Sequence, residues 1–425
     1  QVGKNLPSKD AQEIDVSGKL LFPGFIDGHT HFDLEVAGTV TADDFETGTK
    51  AAILGGTTFV IDYASQDKGG HTLKEGLDKW HKKADDKCSC DYSFHMSIVE
   101  WNEKTEQEIQ DMIDHGITSF KLYMTYPAMI VNDCDMYKIL KKLGKCGCFA
   151  GVHCENAGVI DALIAEAKKE GRLGPENHPL VRPDTMEAEA VHRLLVIAKE
   201  ADAPVMVVHL TNKKAFEEVM RARANGQEVY AETCPQYLEF TCDVYKREDG
   251  RNFVCSPPMK GQESQDALWK AIKNGMIDTV ATDHCPFQSY EKDWGKDDFT
   301  KIPNGCPGVE NLYPYMLDAA NSGKITFERA VELCSTNVAK IFGCDNKGSI
   351  SVGKDADIVI YDKDKDFTIS VDNMHSDLDH TIWEGKQLHG YPIRTYLRGN
   401  VVYDNGDFVG TPGLGEYVKR SPRKH

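Results

Sequence analysis

Several side chains that can bind metals stand near the ends of short apolar segments. The sequence contains Asp27-Gly-His29-Thr-His31, and further along it carries Lys121, His153, His209 and Asp283. Residues two apart in an extended strand point the same way, so His29 and His31 can bind one ion together. Nitrogen and oxygen ligands without cysteine suit zinc, while manganese, iron or cobalt also fit. The pattern predicts a metal centre, and we favour zinc.

Lys121 differs from the other members of this set because an ammonium does not bind a cation. Beside two dications it would be repelled, and an unpaired charge inside a protein is costly. A deprotonated amine can react with carbon dioxide, and the oxygens of the carbamate can bridge two metals about 3.5–4 Å apart. We therefore expect carboxylated Lys121, with a salt-bridged lysine as the alternative.

Eight short strands, alternating with helices, are predicted to carry these residues. The strands are expected at 20–26, 57–63, 91–99, 119–124, 149–154, 204–210, 228–233 and 278–282. Helical periodicity predicts helices at 42–54, 105–115, 186–200, 213–224 and 263–274. Eight such units form an α/β fold of the (β/α)8 TIM barrel type, in which reactive groups lie at the carboxyl ends of the strands.

Glycine-punctuated, alternating segments after residue 342 predict a small β domain beside the barrel. We expect residues 1–19 to supply the N-terminal part of a β-sandwich, 20–345 the barrel and 346–405 the C-terminal part of the sandwich. Residues 406–425 then form a C-terminal tail. Its basic end, 419–425, is expected to be disordered or to act as a docking arm.

Composition excludes several classes of protein. The chain of 425 residues has 49 Lys+Arg and 67 Asp+Glu, and its formal charge of -18 repels nucleic acid and anionic membranes. No apolar run approaches the length of a membrane span, and residues 1–10 do not look like a signal peptide. Thirteen cysteines are too sparse for a disulfide scaffold, which favours a cytoplasmic protein with ordinary thiols.

Together, eight segments resemble the hydantoinase/dihydropyrimidinase family, which are cyclic amidohydrolases of the amidohydrolase superfamily. They are 28–33 (GHTHFD), 121–126 (KLYMTY), 152–156 (VHCEN), 208–211 (VHLT), 255–258 (CSPP), 281–284 (ATDH), 302–305 (IPNG) and 353–359 (GKDADIV). The resemblance runs from about residue 14 to residue 403. Family members usually begin with some thirty further residues that supply the first strands of the sandwich.

The resemblance implies a role for each candidate residue. His29, His31 and Asp283 would hold one metal, His153 and His209 would hold the other, and carboxylated Lys121 would bridge the two. Tyr126 would stabilise an oxyanion, while backbone groups of Ser256 and Asn304 would bind the ring amide. Apolar residues Val36, Tyr123 and 127–131 would form the substrate gate. A homotetramer is also implied.

The expected reaction is hydrolysis of a hydantoin or dihydropyrimidine to an N-carbamoyl amino acid. A hydroxide bridging the metals would attack the ring carbonyl, and Asp283 would shuttle its proton to the leaving nitrogen. A dihydroorotase is disfavoured because Phe32-Asp33, rather than arginine, follow the histidine pair. An allantoinase remains an alternative, although an apolar gate suits a hydrocarbon or aromatic substituent better. The third alternative is a non-catalytic assembly protein of the collapsin response mediator type.

Overall fold

A sheet of eight parallel strands in chain order forms the centre of the computed structural model, which describes residues 3–4, 6 and 12–423. The first and last strands also meet, because the His31 N–H donates to the His284 carbonyl oxygen at 2.9 Å. The predicted (β/α)8 barrel is therefore confirmed. Its strands are Phe25–Thr30, Thr57–Ser65, Asp91–Ser97, Ser119–Tyr123, Phe149–His153, Val205–Val207, Val229–Thr233 and Thr279–Val280.

The barrel strands are almost entirely buried because helices cover their outer face and side chains fill the interior. Towards the amino ends of the strands the filling is apolar. Phe59, Phe149, Met206 and Phe342 belong to one cluster there. This apolar layer closes one end of the barrel, opposite the carboxyl ends of the strands.

Helices surround the strands, and the five predicted from periodicity are all present, with ends that match or differ by at most three residues. The shift is largest at the first helix, where the Asp44 side chain caps the backbone N–H groups of Glu46 and Thr47. Among the described helices, none combines the length and hydropathy that crossing a membrane requires. The α-helices are Phe45–Gly55, Leu73–Ala84, Glu103–Asp114, Asp133–Lys145, Ala157–Lys169, His178–Val181, Asp184–Ala201, Lys213–Ala224, Pro235–Glu239, Gln262–Lys273, Ser289–Lys292, Leu312–Asn321, Phe327–Val331 and Asn337–Phe342.

A five-stranded antiparallel sheet made from both chain ends stands beside the barrel, as the predicted fold class requires. Its strands are Leu20–Pro23, Ile358–Thr368, Gln387–Leu397, Asn400–Asp404 and Asp407–Phe408. The N-terminal strand lies at 20–23, inside the range predicted for the barrel, and 12–19 contain no strand. Of the predicted range 1–19, residues 1–2, 5 and 7–11 lie outside the described residues.

The predicted strand 20–26 is divided at Gly24, so its two halves join different sheets. A Cβ at Gly24 would lie 2.0 Å from the Thr58 hydroxyl oxygen, which explains why only glycine fits at this crossing. The described part of the basic tail, 419–423, is neither disordered nor a free docking arm. Arg420 is 3% exposed and donates to the hydroxyls of Ser93 and Ser119 at the amino end of the barrel.

A buried ion cluster ties the small sheet to the barrel far from the carboxyl ends of the strands. The Lys347 ammonium lies 2.5 Å from Asp91, 2.9 Å from Asp355 and 2.7 Å from Asp357, and is 4% exposed. These three carboxylates are grouped closely enough to hold a cation. Lys347 supplies a counter-charge to all three and Arg398 a second one to Asp91, so we assign the cluster a structural role.

Replacing Lys347 by Met should destabilise the protein because it leaves buried carboxylates without their counter-charge. The expected loss is about 4 kcal/mol, which lowers the melting temperature of a chain of this size by about 4 °C. Thermal unfolding followed by circular dichroism measures it. Lys363→Met is the control, since Lys363 pairs with Asp364 at the surface and should change the melting temperature by less than about 1 °C. Equal melting temperatures for the two variants would contradict the assignment.

Candidate active site

A cleft of about 680 Å³ opens at the carboxyl ends of the barrel strands. Of the side chains predicted to take part in chemistry, only His29 does not line it, and His29 is fully buried beneath. The predicted residues that line the cleft are His31, Lys121, Tyr126, His153, His209, Ser256, Asp283 and Asn304. Residues up to 275 positions apart in the chain are thus brought together in one place.

His29, His31 and Asp283 converge at the floor of the cleft. One Asp283 carboxylate oxygen lies 3.2 Å from His29 Nε2 and 3.1 Å from His31 Nε2. These three side chains each offer an atom within 4.8 Å of the others. Among the residues that the structure describes, His29 Nε2 is buried and forms no hydrogen bond of acceptable geometry, although the Asp283 oxygen lies close to it. A cation would satisfy this nitrogen, so the donor set fits a metal.

His153, His209 and Lys121 stand next to that group. The imidazole centroids of His153 and His209 are 4.6 Å apart, and those of His209 and His29 are 5.5 Å apart. Lys121 is 1% exposed, and the Tyr63 ring centroid lies 5.0 Å from its Nζ. Burial lowers the pKa of Lys121 to about 8, although nearby carboxylates oppose the shift. A neutral amine is therefore accessible at mildly alkaline pH.

Three of the site residues adopt left-handed backbone conformations. The φ angles are 40° at His209, 52° at Asp283 and 65° at Tyr126. Such a conformation costs a non-glycine residue about 1–3 kcal/mol and is concentrated at functional sites, where the surrounding structure enforces it. The barrel thus turns these side chains towards the cleft at some cost in stability.

The upper wall of the cleft offers hydrogen-bonding groups to a ligand. Burial raises the pKa of the Tyr126 phenol, which keeps its hydroxyl protonated as a donor. Within the described part of the chain, the Ser256 hydroxyl and the Asn304 side-chain carbonyl are buried without partners. Unpaired polar atoms of this kind are costly unless a ligand or water meets them, so the wall is suited to a polar molecule.

Comparison with known proteins agrees with this arrangement. Residues 20–402 match the model of the amidohydrolase family. The chain belongs to the amidohydrolase family. It is 40% identical to a D-hydantoinase from Rhizobium radiobacter, over 97% of this chain and 91% of that protein, and 40% identical to a D-phenylhydantoinase from Escherichia coli strain SE11, over 99% and 92%.

A solved structure gives the same result. The dihydropyrimidinase from Brevibacillus agri NCHU1002 is 41% identical and superimposes with a TM-score of 0.97, covering 100% of this chain and 93% of that one. The predicted membership of the hydantoinase/dihydropyrimidinase branch is confirmed, as is the enzyme class.

Sequence reasoning missed the carboxylates that orient the histidines of this amidohydrolase. Glu232 accepts a hydrogen bond from His29 Nδ1 at 2.7 Å, and Glu155 accepts one from His153 Nε2 at 2.7 Å. Each bond fixes a ring tautomer and leaves the other nitrogen free to bind a metal. Glu232 could have been found, since it lies near the carboxyl end of the seventh strand, as the predicted ligands do on other strands.

Glu155 carries its charge because of a further missed residue, Arg182. Burial favours the neutral acid, but the Arg182 guanidinium, 2.7 Å away, and the hydrogen bond with His153 together outweigh it and hold the pKa of Glu155 well below its usual range. The only hint in the sequence is the place of Glu155 two positions after His153, because Arg182 meets it through the tertiary fold.

The predicted apolar gate is present in part. Val36, Tyr123, Ala128 and Met129 line the cleft, together with Leu34, which the sequence did not suggest. Ile130 was expected to contribute, yet it is 36% exposed and lies outside the lining. It stands in a loop that turns back on itself, with its N–H bonded to the Tyr126 carbonyl oxygen. The mouth of the cleft is therefore mostly apolar, although Glu35 and Thr39 also line the cleft.

Replacing Gly305 by Ala should displace the loop that carries Asn304. Gly305 has a φ of 156°, and a Cβ there would lie 2.1 Å from the Cys285 carbonyl oxygen. We expect a melting temperature at least about 3 °C lower, from combined strain and steric clash. Gly171→Ala is the matched control, since its φ is also positive at 73° but nothing lies within 4 Å of the added carbon. Equal melting temperatures for the two variants would show that a side chain at position 305 does not clash with Cys285.

Proposed function

We propose that this amidohydrolase opens the ring of hydantoins or dihydropyrimidines by hydrolysing a ring amide, which yields N-carbamoyl amino acids. The convergence of metal-binding side chains under a cleft walled by Tyr126, Ser256 and Asn304 is the observation that carries the proposal. The relatives are hydantoinases, and the neighbouring structure is a dihydropyrimidinase, which supports this class of substrate.

Two divalent cations, which we propose to be zinc, fit the donor atoms at the floor. His29, His31 and Asp283 would hold one, while His153 and His209 would hold the other. Lys121 would lie between them as a carbamate, formed when its amine nitrogen adds to carbon dioxide and loses one proton. When bound, the cations supply Lewis acidity that polarises the ring carbonyl and lowers the pKa of water. Manganese, iron or cobalt would serve the same purpose.

Asp283 is the proposed proton carrier. Its side chain is 16% exposed to the cleft, whereas His29 beside it is not exposed at all. It accepts a proton from the attacking water and returns it to the departing ring nitrogen. The Tyr126 hydroxyl donates to the oxygen that gains charge in the transition state. Backbone groups of Ser256 and Asn304 hold the ring amide in place during both steps.

The apolar mouth favours hydantoins over the alternatives. Leu34, Val36, Ala128 and Met129 present hydrocarbon to whatever hangs from the ring, which suits an alkyl or aryl substituent at position 5. The ureido group of allantoin would lose hydrogen bonds to water there. A purely structural assembly protein would have no use for the complete donor set.

Two further proposals concern the compartment and the assembly of the protein. All thirteen cysteines are free, which supports a reducing compartment such as the cytoplasm. We propose a homotetramer from the family resemblance alone. The proposed substrate is a small cyclic amide or ureide, and we propose neither nucleic acid nor a membrane as a partner.

A substrate panel tests the proposed function directly. Metal-replete protein should hydrolyse hydantoin, 5-phenylhydantoin or dihydrouracil, and a chelator should abolish turnover until metal is restored. We expect 5-phenylhydantoin to be preferred over allantoin because of the apolar mouth. Release of N-carbamoyl product is measured by chromatography. Turnover of allantoin alone would make the protein an allantoinase, and no turnover of any cyclic amide would refute the proposal.

Asp283→Asn separates proton transfer from metal binding. The amide retains an oxygen ligand but cannot carry the proton, so kcat should fall by about 10³-fold or more while metal content by elemental analysis stays nearly constant. Asp111→Asn is the control, because Asp111 is exposed on helix Glu103–Asp114 and does not line the cleft. Near-normal kcat in the Asp283 variant would remove the residue from the mechanism.

A further inference from the structure

Lys292 is a buried lysine that the proposed reaction does not use. It ends the short helix Ser289–Lys292 and is 1% exposed. Its ammonium donates to three backbone carbonyl oxygens, at 3.0 Å to Val254, 2.7 Å to Pro303 and 2.6 Å to Gly305. All three N–H groups of the ammonium are thereby satisfied.

These carbonyls belong to the two loops that wall the cleft. Val254 is two residues before Ser256, while Pro303 and Gly305 flank Asn304 on both sides. The loops also contact each other directly, since the Gly305 N–H donates to the Val254 carbonyl oxygen at 3.0 Å. The ammonium therefore lies where the Ser256 loop crosses the Asn304 loop.

The hydrogen bonds at this crossing come from a charged donor, which makes them strong. Burying a cation is costly unless hydrogen bonds compensate, and bonds from a charged donor are about twice as strong as neutral ones. Within the described residues, Lys292 forms no ion pair with a carboxylate, so all its hydrogen bonds go to backbone carbonyls. Without the ammonium, the three buried carbonyl oxygens would keep one hydrogen bond between them, which runs from the Gly305 N–H to the Val254 oxygen.

We infer that Lys292 is a positioning residue that fixes the distance between Ser256 and Asn304 and so sets how tightly the ring amide binds. The inference rests on the proposed function, because it assigns those two residues to the ring. Lys292 does not touch the metal-binding side chains or Tyr126. Its loss should therefore weaken binding of ground state and transition state alike, which raises KM and leaves kcat little changed.

Steady-state kinetics of Lys292→Met with the best substrate of the panel tests this. We expect KM to rise by about tenfold or more, with kcat within about threefold of the parent enzyme and metal content unchanged. The matched control is Lys347→Met, which also removes a buried ammonium with three acceptors but lies at the opposite end of the barrel. That variant should lose stability while its KM stays constant.

A second variant keeps the test decisive if the Met variant does not fold. Lys292→Gln has two N–H donors and no charge, so we expect a KM between those of the parent and the Met variant. A KM equal to that of the parent enzyme in the folded variants would overturn the inference, as would a fall in kcat at constant KM. These outcomes differ from failure of the proposed function, in which the parent enzyme itself hydrolyses no cyclic amide.

Discussion

Closure of the barrel between its first and last strands is the contact on which the site depends. The Asp27 carboxylate accepts hydrogen bonds from the Thr282 N–H at 3.1 Å and from the Thr282 hydroxyl at 2.5 Å, joining residues 255 positions apart. Because Asp27 lies two residues before His29, and Thr282 directly precedes Asp283, this bond sets the distance between the ligands of the first proposed metal. Burial raises the pKa of Asp27 to about 6, so the carboxylate remains charged at neutral pH and its hydrogen bonds stay strong.

Burial also prepares the histidines for their proposed role. Removal from water, reinforced by the Lys121 charge, holds the pKa values of His29 and His209 well below the usual range. Neutral imidazole is the form that binds metals, so these rings are in the binding state before any cation arrives. Glu232 orients the His29 ring, because its hydrogen bond to Nδ1 leaves Nε2 facing the cleft. The apolar layer at the amino end of the barrel excludes water beneath and thereby maintains both effects.

The residues of the substrate wall are held in place differently from those of the floor. The floor residues lie on barrel strands or within three residues of their ends, whereas Ser256 and Asn304 stand on loops whose shape the sheet does not determine. Lys292 and the close approach of Gly305 to Cys285 supply the missing constraint. Strain is accepted in both regions, as the left-handed conformations of Tyr126, His209 and Asp283 indicate. Rigid placement of polar groups around the reacting amide is what ring hydrolysis requires.

The sequence by itself determined the barrel, because eight apolar strands with helical connections have one common architecture, and strand-end histidines in His29-x-His31 spacing predicted a metal site. Two features needed the tertiary structure. The strand 20–26 reads as continuous, yet contact between Gly24 and Thr58 divides it between two sheets. Arg182 and Lys292 have no local signal either, since each acts on groups distant in the chain. Local periodicity reports which face of an element is buried, but not which polar group it meets there; that partnership is decided only when the barrel closes and the loops pack.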